Sequence, residues 1–184
     1  VRNFILIGHC FGGMGASLFA AKFPDLPQGL VLISTSYQPP WFLRPLIGHK
    51  IVQKFLAFLA RHSSTWHINH PIDYTKINYV KDFEMKGVFL NLLRTSLRGF
   101  LFLTEKLLSY DFLTKLKNIT VPTLIIAGTA DQVFPPRLAR QIHRQVKTSE
   151  LYLIKGGKHL TIVNNSAEVA AAIAQVTQGP PGSQ

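Results

Sequence analysis

Apolar residues in this chain follow two spacings. Four short stretches run without a break: Phe4-Ile5-Leu6-Ile7, Leu30-Val31-Leu32-Ile33, Leu124-Ile125-Ile126 and Leu151-Tyr152-Leu153-Ile154. Consecutive apolar positions, unlike alternating ones, suit strands covered on both faces, the kind a parallel sheet contains. The pattern predicts a first strand over residues 1–7, buried on both faces in the middle of a sheet. Further strands are predicted over 29–34, 119–127 and 151–154. Between them the spacing turns helical, through Met14, Ala16, Ser17, Phe19 and Ala20, then Leu138, Ile142 and Val146, and last from about 166 to 176, where Glu168 supports the helix start. From Trp41 to about Lys117 the pattern is helical throughout, with Phe55, Leu56, Phe58 and Leu59 on one segment and Val88, Phe89, Leu92, Leu93 and Leu97 on another. A break over 63–73 divides them. An apolar helical stripe is ordinarily core, with the lining of an acyl-chain pocket as the alternative. The tail 178–184 is rich in Pro, Gly and Ser and is expected to be disordered.

The junction between the first strand and the first helix is Gly8-His9-Cys10-Phe11-Gly12-Gly13. Glycines on both sides of Cys10 let the backbone reverse where a Cβ would collide, and the apex side chain is pushed out beyond the end of the strand. The helix that begins there offers free N–H groups and the positive end of its dipole, which favour a thiolate and any nearby negative charge.

Gly8-x-Cys10-x-Gly12 resembles the nucleophile elbow, GxSxG, of the α/β-hydrolase fold superfamily, with cysteine where serine is usual. LVLIST, VPTLIIAGTADQVFPP and LYLIKGGKHLTIV resemble the later strands and active-site turns of the same superfamily. The resemblance covers nearly the whole chain but only the second half of a hydrolase. It implies an α/β fold: a mostly parallel sheet with helices on both faces and an inserted helical cap. The corresponding segments are 1–36 (elbow strand, elbow helix and next strand), 37–117 (cap), 118–177 (rest of the core) and the tail. It also implies an N-terminal half, supplied in cis or in trans, because the elbow strand needs a neighbour on each side and would otherwise present an edge prone to aggregate.

Composition narrows the classes. With 184 residues, 47% of them hydrophobic, the chain can bury a sizeable core. Twenty Lys and Arg against nine Asp and Glu give a net charge of +11, which favours anionic partners. The basic residues are scattered among apolar ones with no nucleic-acid module beside them, which argues against nucleic acid and for peripheral membrane contact through the basic cap. The location stays open, with a cytoplasmic or membrane-peripheral one favoured. The single cysteine cannot form an internal disulfide. No metal or cofactor is called for. His67, His70 and Asp73 share a segment but lack ligand spacing, and the elbow glycines do not form a dinucleotide fingerprint.

Cys10, Asp131 and His159 each follow a predicted parallel strand, which puts all three at one edge of the sheet. Their order, nucleophile, acid, histidine, is the order the resemblance implies. In those roles His159 takes the thiol proton or pairs with the thiolate, Asp131 fixes the imidazole tautomer and orientation, and Cys10 attacks an acyl carbon. The substrate implied is a small-molecule or lipid ester or thioester with an apolar acyl part, and hydrolysis and acyl transfer both remain open. Dienelactone hydrolases and polyhydroxyalkanoate synthases have such a cysteine elbow. The Phe11 backbone N–H is one oxyanion donor, while the family takes its second from a loop after an earlier strand. Loss of one donor costs roughly 100- to 1,000-fold in turnover, so weak activity is expected of the chain alone. Gly8, Gly12 and Gly13 are structural, as is His9. The alternative is a non-catalytic homologue that keeps the elbow as scaffold and acts as a lipid- or protein-interaction module.

Overall fold

A computed structural model of the chain describes residues 4–40, 49–62, 98–99, 101–102, 105–106 and 111–177. They fall into two compact units. One holds 4–38 and 111–177; the other holds 39–40, a helix over 50–62 and the described positions between 98 and 106.

The first unit is a sheet with helices on both faces. Its elements are β1 (Phe4–His9), α1 (Phe11–Lys22) and β2 (Pro27–Ile33), and, past the second unit, α3 (Phe112–Leu116), β3 (Thr123–Gly128), α4 (Pro136–Gln145), β4 (Ser149–Ile154), α5 (Thr161–Asn164) and α6 (Ser166–Thr177). Helix α2 (Lys50–His62) belongs to the second unit. The four strands are parallel in the order β1-β2-β3-β4. Parallel neighbours must be joined by crossovers, and here helices form them.

Registered residues of a parallel sheet share a face, so the pairs Leu32↔Ile125 and Ile125↔Leu151 set one face and Val31↔Leu124 and Ile33↔Ile126 the other. On the first face Leu30, Leu32, Ile125 and Ala127 pack with Ala16 and Ala20 of α1 and with Ala139 and Ile142 of α4. The small residues of α1 let it lie close to the sheet. On the second face Val31, Ile33, Leu124, Ile126 and Ile154 pack with Val169 and Ala172 of α6. Each fully buried Leu or Ile contributes roughly 1.5–3 kcal/mol relative to exposure.

In the described sheet β1 has β2 as its one neighbour, and Ile5 and Ile7 are 41% and 49% exposed. Their registered partners are Gly29 and Val31, which puts them on the α6 face. One expectation is corrected: the apolar stripe of α2 is not core throughout, because Phe55 and Phe58 are exposed while Leu56 and Leu59 are half-buried. The expected second cap segment at 88–97, the break over 63–73 with His67, His70 and Asp73, and the tail 178–184 lie outside the described residues.

Candidate active site

β1 ends at His9, and the chain turns at Cys10 with φ 53° and ψ −124°. A positive φ in a non-glycine residue costs of order 1–3 kcal/mol and persists only when its surroundings hold it. Here they do. The Cys10 N–H donates to the Ile33 carbonyl at 3.0 Å, and the Cys10 carbonyl accepts from the Gly13 N–H at 3.1 Å and from Thr35 Oγ1 at 2.6 Å. The steric need for glycine falls on two positions. A Cβ on Gly8 would lie 2.6 Å from the Gly12 carbonyl oxygen, and one on Gly13 would lie 2.5 Å from Thr35 Oγ1, whereas Gly12 has open space. Phe11 opens α1, so its N–H is among those an α-helix leaves without an intrahelical acceptor.

Asp131 stands three residues beyond β3, on a turn stitched to the one that carries His159. Thr129 N–H donates to the Ile154 carbonyl at 2.9 Å, Ala130 N–H to that of Gly157 at 2.9 Å, and Gly156 N–H to Thr129 Oγ1 at 2.8 Å. The turns approach so closely that a Cβ on Gly128 would collide with the Gly157 carbonyl. Asp131 is buried, and its Oδ1 accepts from the N–H groups of Val133 and Phe134, each at 2.8 Å. Oδ2 is left to face His159 Nδ1 at 3.0 Å. Across the ring, His159 Nε2 lies 3.2 Å from Cys10 Sγ. The structure thus brings Cys10, His159 and Asp131 into one chain of contacts, with Phe11 beside them.

The electrostatics favour a charged ring. Burial pulls the His159 pKa down, but hydrogen bonds to Asp131 and Cys10, with their charges, outweigh it and raise the value from 6.5 to about 9. The neighbouring His9 goes the other way. Its pKa is lowered chiefly by burial, against the raising effect of its contact with the His159 backbone. A neutral His9 donates from Nε2 to the His159 carbonyl at 3.3 Å, and the two rings lie 5.5 Å apart. Phe134 packs edge-on against His159 at 5.4 Å and against Phe11 at 6.2 Å.

Sequence reasoning missed the buried hydroxyls. Ser34, also at positive φ, pairs through Oγ with Thr161 Oγ1 at 2.9 Å, and both residues are buried just past the ends of β2 and the His159 turn. Thr35 braces the elbow as described. Ser34-Thr35-Ser36 after an apolar strand was the available signal, because hydroxyls so close to a core need partners.

An elbow that carries Cys10 at the end of one strand, with Asp131 and His159 on turns after two later strands of the same parallel sheet, has the arrangement of the α/β-hydrolase fold. Residues 1–166 match the family model described as serine aminopeptidase, S33, and the chain belongs to that family. Proline iminopeptidase of Lactobacillus helveticus is 27% identical over 94% of this chain and 65% of its own length. A pimeloyl-[acyl-carrier protein] methyl ester esterase of Neisseria meningitidis is 25% identical over 95% of this chain and 69% of its own. Among solved structures, a thermophilic esterase from Thermogutta terrifontis superposes with a TM-score of 0.66 at 20% identity, over 96% of this chain and 65% of that one. The chain therefore spans about 65% of the length of the iminopeptidase and esterase structure it matches. The family's name specifies serine, whereas the residue at the elbow apex here is Cys10.

Proposed function

We propose that this chain carries the nucleophile, base and acid of an acyl hydrolase that cleaves an ester or thioester with an apolar acyl part. The observation that supports this most directly is His159 held between two partners, Nδ1 at 3.0 Å from Asp131 Oδ2 and Nε2 at 3.2 Å from Cys10 Sγ. His159 Nε2 takes the Cys10 thiol proton, and the sulfur forms a bond to the acyl carbon while the carbonyl electron pair moves to oxygen. The Phe11 N–H donates to that oxyanion. As the carbonyl re-forms, the bond to the alcohol or thiol breaks and the leaving group takes the proton from Nε2. A water then loses a proton to Nε2 and attacks the acyl-cysteine, and the thiolate is expelled. Asp131 keeps Nδ1–H directed at itself, which leaves Nε2 for this traffic. Thioesters and activated esters suit a cysteine nucleophile best, since a thiolate attacks them readily but is also easily expelled from intermediates of poorer substrates. That the relatives include an ester hydrolase and an iminopeptidase agrees with attack on a carbonyl carbon.

The test is acylation by a p-nitrophenyl ester or a small acyl thioester, followed by intact mass. The expected outcome is a single acyl adduct on Cys10, absent in Cys10→Ala and formed far more slowly in His159→Ala. An adduct elsewhere, or an unchanged rate in His159→Ala, would overturn the proposal.

A further inference from the structure

Helix α2 is apolar over more of its circumference than is buried. At 100° per residue, Val52, Leu56, Leu59 and Ala60 occupy the covered arc, and all four are buried or half-buried. Ile51, Phe55 and Phe58 continue that arc on the adjoining side and are 84%, 58% and 57% exposed. Together they span about 200°, against the roughly 100° stripe a surface helix usually needs. The ring of His62 lies 4.3 Å from that of Phe58 and extends the stripe by one turn. Lys54, Arg61 and Lys50 border its other edge, all exposed, and the helix contains no Asp or Glu.

A cavity of about 580 Å³ adjoins the same cationic edge. Ala57, Ala60 and Arg61 of α2 line it together with Arg98, Phe102 and Lys106. Among its described lining residues the one acid is Glu105, whose carboxylate lies 3.1 Å from Lys106 Nζ. Phe102 is exposed, with the Lys106 ammonium 5.3 Å from its ring centre. Arg61 belongs to both features, so the apolar stripe runs into a basic hollow.

We propose that the exposed face of α2 and the basic cavity beside it form a peripheral docking surface for an anionic phospholipid bilayer. The Ile51–Phe55–Phe58 stripe enters the boundary between headgroups and acyl chains. Lys50, Lys54 and Arg61 extend their stems along it and keep their charges among the phosphates. The cavity, whose described lining sets Arg61, Arg98 and Lys106 against Glu105, receives a lipid phosphate. Charge complementarity selects this occupant, because the whole chain carries +11 and the apolar stripe shares an edge with cations alone. A nucleic acid would use the cations but not the stripe, and an apolar protein groove would use the stripe but not the cations. At thirteen residues α2 is shorter than the roughly 20 a membrane span requires, which suits a helix lying in the interface. Among the described residues no helix is long and apolar enough to cross a membrane. The surface does not depend on the chemistry at Cys10.

The test is co-sedimentation of the full chain with vesicles of phosphatidylcholine alone or containing about a third phosphatidylglycerol, in low and in high salt. The expected result is binding at least about tenfold stronger to the anionic vesicles and weakened by salt. Each cation near the surface is worth about fivefold, so loss of three lowers partitioning by about 100-fold, and Lys50→Glu/Lys54→Glu/Arg61→Glu, which also adds three anions, should lower it by at least that much. Phe55→Ser/Phe58→Ser should release the protein even in low salt while far-UV circular dichroism stays unchanged, since both side chains are exposed. Equal binding to neutral and anionic vesicles would overturn the proposal, as would a charge-reversed variant that binds like the wild type. Two other outcomes would also overturn it. If the apolar variant abolishes self-association in sedimentation velocity and leaves vesicle binding intact, the stripe joins two copies of the chain. If millimolar inorganic phosphate displaces the protein at constant ionic strength, the cavity is a soluble-anion site.

Discussion

β1 and β3 are six-residue apolar strands in one sheet, yet their surroundings differ. β3 lies between β2 and β4 and all six of its residues are buried; β1 pairs with β2 on one side, and Ile5 and Ile7 show half their surface to solvent. The candidate site is divided along the same line. Asp131 and His159 hang from turns of β3 and β4 that are stitched together by two backbone bonds and one from the Gly156 N–H to Thr129 Oγ1, whereas Cys10 hangs from the end strand of the described sheet. What holds the elbow is its grip on β2 and the turn after it, through the Ile33 carbonyl and the Thr35 hydroxyl. The position of Cys10 is thus set by the neighbouring strand and the turn after it.

The largest effect tests whether the two sides act as one site. His159→Ala should slow acylation of Cys10 by roughly 100- to 10,000-fold, the usual contribution of a positioned base. Alkylation of Cys10 at about pH 6.5 should fall with it, because in the native site the ring is charged at that pH and adjoins the sulfur. If alkylation and acylation are both indifferent to the substitution, the halves are neighbours without chemistry between them.

Next in size is the contrast between the strands themselves. Ile125→Ala should destabilise by about 2–5 kcal/mol, as for a fully buried isoleucine. Ile7→Ala, half exposed, should cost under about 1 kcal/mol. Urea unfolding measures both, and equal losses would mean that the exposed face of β1 is covered in solution.

Glycines sharpen the comparison at a finer scale. Gly128→Ala forces a methyl into the Gly157 carbonyl between the stitched turns and should cost about 1–3 kcal/mol or more. Gly12→Ala, in α1 with open space around it, should be neutral or stabilise by up to about 1 kcal/mol. Thermal unfolding distinguishes them.

The smallest effects concern the two histidines, whose pH dependence should have opposite sign. The His159 value is raised, so its contribution to stability is complete below the unfolded value of 6.5 and is lost as pH rises through about 9. The His9 value is lowered, so its contribution is present above 6.5 and is lost as pH falls through its depressed folded value. Against wild type, His159→Gln should therefore converge in stability toward alkaline pH and His9→Gln toward acid. Convergence in the same direction would contradict the opposed environments of the two rings.

Much of this architecture is legible in local pattern, for physical reasons that act locally. Consecutive apolar runs give strands that a parallel sheet can cover, prolines at 135 and 136 open α4, and the glycine-framed elbow can reverse only as a strand-to-helix turn. The order Cys10, Asp131, His159 is likewise written along the chain. Coverage is not, because burial depends on what else arrives at a surface. Phe4-Ile5-Leu6-Ile7 and Thr123-Leu124-Ile125-Ile126 read alike, and in the described sheet the second has a strand on each side while the first has one neighbour. Phe55 and Leu56 are adjacent apolar residues of one helix, and only packing exposes the first and half-buries the second. The meeting of Sγ, imidazole and carboxylate, the Ser34–Thr161 pair and the opposed shifts of His9 and His159 belong to the tertiary structure alone. They arise between residues far apart in the chain, 28 positions for Asp131 and His159 and 149 for Cys10 and His159, or from the burial that such meetings create.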